Sequence, residues 1–372
     1  MRASASLSKP GRQATGRALA LSGPVHFGAE GAMQVFWLAA AILLAALGWV
    51  PAARSEDKIE LSLPLACEPH KTCFIQNYFD DDPGDGVRDY SCGSASYDKH
   101  DGIDIRLLSS AAAKAGVPVL ASSGGTIKGA RDGVTDVLLR NNKKLDDIKG
   151  RECGNGVVID HGNGWETQYC HMKAGSVSVT KGQVVKSGDK LGEVGFSGLA
   201  DFAHVHLTVR HNGKAIDPFR PEPVEGACQR DPKAKSLWQE PVTAAFSYRA
   251  GEIMAAGFSA EPLDYDALET DHNATVLPTP NSPAMLFYGR FLNLLAGDRI
   301  RVSLTGPGGN LVERLSEPLA KNKAAYLSFS GVKRKEAAWT PGRYEGRTEI
   351  VRDGAAVAAT TVTLDMPAVT KP

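Results

Sequence analysis

Residues 203 to 210, AHVHLTVR, alternate without a break: Ala203, Val205, Leu207 and Val209 take one set of positions, and His204, His206, Thr208 and Arg210 the other. Successive side chains of a strand point to opposite faces, so the pattern predicts a strand with one apolar face and one face carrying two imidazoles about 7 Å apart. Similar alternation, bounded by Gly, Asn or Asp, runs through VPVLASSGGTIKGA, GVVIDHGNGWETQYCHM, GSVSVTKGQVVKSGDKLGEVG and AHVHLTVRHNGKAID. Such runs read as short β-strands joined by tight turns. Between residues 99 and 219 only SSAAAKAG looks helical, and it is brief. The pattern predicts an antiparallel, sheet-rich domain over 99–219.

Beyond it the alternation stops and restarts. PFRPEPVEGACQRDPKAK is rich in proline and charge, which marks residues 220–240 as a linker. GDRIRVSLTGPGGNLVERL and PGRYEGRTEIVRDGAAVAATTVTLDM then alternate around hairpin turns such as Asp353-Gly354. Residues 241–367 are therefore expected to form a β-sandwich of immunoglobulin-like type, by analogy of fold alone, serving as an accessory or spacer module. The chain is expected to be mainly β throughout. Residues 56–98 read as irregular. Their DDDPGDG stretch is a solvated turn, because the carboxylate spacing does not fit an EF-hand.

The first 55 residues differ in kind. Arg2, Lys9, Arg12 and Arg17 precede the unbroken apolar run VFWLAAAILLAALGWV, and small residues follow it. That order predicts a secretory signal peptide with cleavage after Ala52 or Ala53, or else an N-terminal membrane anchor; translation from Met33 would remove the basic lead and keep the apolar run. Export places the protein in a periplasmic or secreted, oxidising setting. The six cysteines, none in a C-x-x-C pair, then read as disulfides. Cys153 and Cys170 flank one apparent hairpin and are paired on that ground, with the other four left open. Lys plus Arg equals Asp plus Glu at 42 each, so the balance of charge gives no footprint for nucleic acid.

Candidate chemistry gathers around the paired histidines. HDGID supplies His100 and Asp104, and QYCHM supplies His171, on the same parity as Tyr169 and Thr167. Imidazole nitrogen and carboxylate oxygen together suit Zn²⁺; a catalytic zinc takes three protein ligands and leaves a position for water. Five candidates exceed that need by two. A hydrolytic site employs such a surplus, one group to take a proton and one to steady an oxyanion.

In order and spacing, H-x-x-x-D at 100–104, HGNGWETQYCH at 161–171, V-x-x-G-D-x-L-G-x-V-G-x-S-G at 185–198 and H-V-H at 204–206 resemble the lysostaphin-type, LytM-like zinc metallopeptidases that cleave peptidoglycan cross-bridges. The resemblance covers about 99–219. It implies a LytM/glucose-permease-like barrel-sandwich fold, one zinc per chain on His100, Asp104 and His206, and His171 and His204 as the catalytic pair. The implied substrate is a peptidoglycan peptide. His161 matches a position that is not usually catalytic, and His211 reads as a turn residue. Cys170, Met172 and Ala203 depart from the family pattern, where a small residue, leucine and proline are usual; they bear on groove shape and substrate choice. Some members of the family lose ligands and activate other wall enzymes. A non-catalytic peptidoglycan-binding regulator is thus the main rival, while a lipoyl- or biotinyl-carrier half-barrel, suggested by 177–195, lacks the displayed lysine such domains need.

Overall fold

A computed structural model describes residues 58–139, 148–222, 228 and 235–368. The proposed signal or anchor lies outside them, as does most of the proline-rich stretch. Among the described residues no helix is long and apolar enough to cross a membrane.

The chain is mainly β, and its named strands pair antiparallel. One large sheet is ordered β1(Cys73–Asn77), β2(Ile103–Leu107), β9(His204–His211), β6(Trp165–Met172), β5(Asn155–Gly162), β4(Gly125–Arg131) and β7(Val184–Val185), with β10(Lys214–Ile216) also paired to β9. β3(Pro118–Leu120) and β8(Lys190–Glu193) form a separate pair. The short helix α1(Ser110–Lys114) follows β2; Ser109 caps it, its hydroxyl accepting the Ala112 N–H.

Alternation decides which face of the large sheet does what. Ile103, Ile105, Val205, Leu207, Val209, Tyr169, Val157 and Ile159 are all buried in one core. On the other face, register sets Asp104 opposite His206, Arg106 opposite His204, and Cys170 opposite His206. A shift of one residue between β2 and β9 would exchange the two faces, so burial of the aliphatic set fixes the register that brings Asp104 to His206.

Segments expected to be irregular or linking take part in this domain. β1 lies at the sheet edge within the stretch read as irregular, and Leu61 and Leu65 are buried, bridging Trp238 and Val119. Leu237 and Trp238, within the stretch read as linker, join the same core. Short apolar patches such as CFIQN carry too few alternations to announce a strand, and burial against a distant segment leaves no local trace. The aspartates of DDDPGDG do act as turn formers: Asp80 accepts the N–H groups of Asp82 and Arg88, and Asp82 that of Gly84.

All six cysteines are paired: Cys153–Cys170 as expected, with Cys67–Cys73 and Cys92–Cys228 completing the set. After helix α2(Glu240–Ala245) come seven further strands and helix α3(Tyr265–Thr270). β11(Glu252–Ser259), β12(Ala284–Leu294) and β15(Lys323–Lys333) form one sheet; β14(Gly309–Leu315), β13(Arg299–Gly306), β16(Gly342–Arg352) and β17(Ala355–Met366) form another. Phe258, Met285 and Phe287 of the first and Ile300, Val302, Tyr344 and Ile350 of the second share one core, the layering of a two-sheet sandwich. A smaller cluster, Phe74 of β1 with Met254 and Leu292, joins this part to the large sheet. The described residues from 58 onward accordingly form one compact unit.

Candidate metal centre

His100, Asp104 and His206 converge. His100 Nε2 lies 3.2 Å from Asp104 Oδ1 and 3.1 Å from His206 Nδ1, which is 2.9 Å from the same oxygen. His100 and Asp104 are almost completely buried, and His206 keeps a small exposed edge. Tetrahedral zinc with bonds of about 2.0–2.2 Å places its ligand atoms roughly 3.3 Å apart, so the triangle has nearly the spacing a zinc ion requires.

The outer nitrogens show which lone pairs face inward. His100 Nδ1 donates to the Tyr78 carbonyl at 2.6 Å, an oxygen that only accepts, and so Nε2 presents its lone pair to the cluster. His206 is oriented the other way round, with Nε2 directed to Thr208 Oγ1 at 3.0 Å and Asp101 Oδ1 at 3.3 Å. Asn77 Nδ2 donates to Asp104 Oδ2 at 2.7 Å, leaving Oδ1 for the cluster. Each donor is thus held by a second group, the support that metal ligands require. Three inward acceptors can share only protons or a cation, and the donor set fits zinc.

Charge follows the same geometry. Burial opposes ionisation of Asp104, yet His100 and His204, with hydrogen bonds from His100 and His206, hold its carboxyl well below the usual range. Burial likewise works against the His206 imidazolium, but Asp101 and Asp104 outweigh it and raise the ring to about 9. A cation would replace that proton.

His171 and His204 flank the triangle. Their ring centroids are 4.5 Å apart, His171 is 6.1 Å from His206, and His204 Nε2 is 3.5 Å from Asp104 Oδ1. Both rings donate from Nδ1 to carbonyls, His171 to Ser197 and His204 to Phe202, each at 2.8 Å. Nε2 is therefore the free base in both. Burial lowers the pKa of His204 and, with His204 and His206 nearby, pushes that of His171 well down, so both are neutral near pH 7.

His171 arrives there by a route that parity does not foresee. Tyr169 and Thr167, whose face it was expected to share, lie on the buried side. At His171 the backbone turns left-handed, with φ 60°, and the alternation breaks. The Cys153 carbonyl accepts its N–H at 2.8 Å, and Cys153 is bonded to Cys170 next in sequence. Gly102, in HDGID, is equally constrained: a Cβ there would lie 2.6 Å from His206 Nε2 and from the Leu207 carbonyl.

His161 and His211 stand apart from the cluster. His161 sits between the Gly124 carbonyl and Thr167 Oγ1, and His211, expected in a turn, stacks on Trp165 at the end of β9. Sequence reading missed Asn77, Tyr97, Asp101 and Phe202. Tyr97 packs on His100 with centroids 4.4 Å apart while half its surface stays exposed. Asp101 adjoins His100 in the motif itself; the others carry no local signal.

Residues 98–218 match the model of Peptidase family M23. Over 121 residues the chain is 35% identical to DD-carboxypeptidase/endopeptidase Mpg of Neisseria gonorrhoeae, a match covering 32% of this chain and 22% of that protein. It is 33% identical over 119 residues to the lipoprotein NlpD/LppB homolog of Pseudomonas aeruginosa, covering 32% of each. The catalytic domain of the M23 protein EnpA from Enterococcus faecalis superposes at a TM-score of 0.28 and 19% identity, covering 46% of this chain and all of that one. The matched segments are a third or less of the curated relatives' length. Residues 98–218 are thus similar to the lysostaphin-type, LytM-like peptidases of family M23.

Proposed function

We propose that the protein is a zinc metalloendopeptidase of the bacterial cell envelope, periplasmic or secreted, that hydrolyses peptide cross-bridges of peptidoglycan. The relative named a DD-carboxypeptidase/endopeptidase and another named peptidoglycan DD-endopeptidase ShyB, from Vibrio cholerae, support that substrate class. The observation that carries the reading is the pairing of a three-donor cluster with two neutral imidazoles beside it. A site meant only to hold an ion has no use for the second pair.

His100, Asp104 and His206 would hold the zinc. When bound, zinc polarises a carbonyl and makes water more acidic near neutral pH. His204 and His171 lie beside the donors with Nδ1 fixed on a carbonyl and Nε2 left as the base; one takes a proton and, once charged, returns it to the departing amine. The other, once it carries a proton on Nε2, would donate a hydrogen bond to the developing oxyanion. Burial favours the neutral ring that a base must be at rest, and Tyr97 lends an exposed aromatic edge against which a peptide can lie.

His206→Ala is expected to lose zinc, whereas His204→Ala keeps zinc and loses turnover of a peptidoglycan suspension. Wild-type clearing is expected to stop with a chelator and return with zinc. Binding to peptidoglycan without clearing would favour the regulator instead.

A further inference from the structure

Three buried charges meet where Glu269 of α3 reaches Arg106 of β2 and Arg290 of β12. Both Glu269 carboxylate oxygens accept from Arg106 Nη2, at 2.9 and 2.6 Å, and Oε1 also accepts from Arg290 Nη2 at 2.6 Å and from the Tyr265 hydroxyl at 2.8 Å. Arg106 further donates to Gln76 Oε1 and, from Nε, to the Leu107 carbonyl. Arg106, Arg290 and Glu269 are all nearly inaccessible to solvent. The guanidinium plane is thereby fixed, and it lies against Phe202, Cζ 4.7 Å from the ring centroid.

Phe202 touches the site twice. Its ring packs on His204 with centroids 4.5 Å apart, and its carbonyl accepts the hydrogen bond from His204 Nδ1. Arg106 is also directly opposite His204 in the β2–β9 register. A single hydrogen bond leaves an imidazole free to swing about it; a packed ring on its face removes that freedom.

We propose that Glu269, from the C-terminal part of the chain, is a positioning residue for His204, acting through the Arg106 guanidinium and the Phe202 ring. The inference rests on the proposed function for its kinetic consequence, since His204 is there a proton-transfer group. It assigns the sandwich a part in catalysis where a spacer would have none.

The test uses the full chain with Glu269→Gln, Phe202→Leu, Phe202→Trp and the double variant Glu269→Gln/Phe202→Leu. Readouts are bound zinc, kcat and KM on soluble cross-linked peptidoglycan fragments, and the NMR signal of the His204 ring, assigned by its loss in His204→Asn. Misplacement of a catalytic group is expected to lower kcat by about tenfold or more in Glu269→Gln and Phe202→Leu, with KM within about twofold and zinc retained. The His204 signal moves in both, Phe202→Trp restores both rate and signal, and the double variant is no slower than Phe202→Leu. Unchanged kcat in folded, zinc-loaded variants, or losses that multiply in the double variant, would overturn it. Should Glu269→Gln not fold, Phe202→Leu and its rescue decide. Should the wild type hydrolyse nothing, the functional reading fails separately, and the His204 signal alone decides: a shift in the variants sustains the relay and an unmoved signal ends it.

Discussion

The left-handed backbone at His171 and the missing side chain at Gly102 shape the site as much as the donors do. A methyl at 102 collides with the His206 ring and with backbone, neither of which yields cheaply. Gly102→Ala is therefore expected to destabilise by about 1–3 kcal/mol, the usual range for overpacking, and to reduce bound zinc, measured by thermal unfolding and elemental analysis of the purified variant. Asp217 offers a separate test away from the donors. Burial raises its pKa to about 7, although its carboxylate accepts the Phe219 N–H at 2.8 Å. The folded state thus holds this proton more tightly than the unfolded chain, and stability falls as pH rises from about 4 to about 7, by at most about 4 kcal/mol. Asp217→Asn keeps the acceptor and removes the charge. Its Tm should vary less across that window and exceed the wild-type Tm most clearly at pH 8; parallel Tm curves would refute the assignment.

Strands and turns carry the next level of organisation. The hairpin of β5 and β6 ends on the Cys153–Cys170 bridge, seventeen residues apart, and the same bridge anchors the carbonyl that holds the His171 backbone. Replacing both cysteines by serine should cost about 3 kcal/mol from the freed loop and lower turnover as His171 loses its support, read from denaturant unfolding and kcat. Much of this level was legible in the sequence. Period-two alternation at 203–210 set the histidine face of β9, and the hairpin between Cys153 and Cys170 announced its own bridge. β1 was not legible, because CFIQN is short and its partner β2 lies beyond a long turn. The approach of His171 was not either: alternation assigns it to the core side, and only the backbone conformation reverses that. Asn77 and Phe202 support Asp104 and His204 through contacts that no spacing rule encodes.

At the scale of the whole molecule, the described residues from 58 onward make one compact unit. Phe74 meets Met254 and Leu292, Arg106 meets Glu269, and His70 Nδ1 lies 2.5 Å from Glu252 Oε1. These contacts join residues more than 150 positions apart, which explains their absence from any local pattern. Ending the chain after residue 246 would uncover Phe74 and leave Arg106 without its counter-charge, an arrangement that is expensive when buried. Such a truncated protein is expected to be poorly soluble and to lack a cooperative thermal transition, while the full chain unfolds in a single calorimetric step. Two well-separated steps would restore the picture of independent modules.

The bond between Cys92 and Cys228 spans 136 residues, a stretch containing His100, Asp104, His171, His204 and His206. One scission of the backbone anywhere inside that span leaves both fragments tied by sulfur. In surroundings where proteases are abundant, a nicked molecule would keep its donors and its bases on one covalent body, and the damage would show on a gel only after reduction.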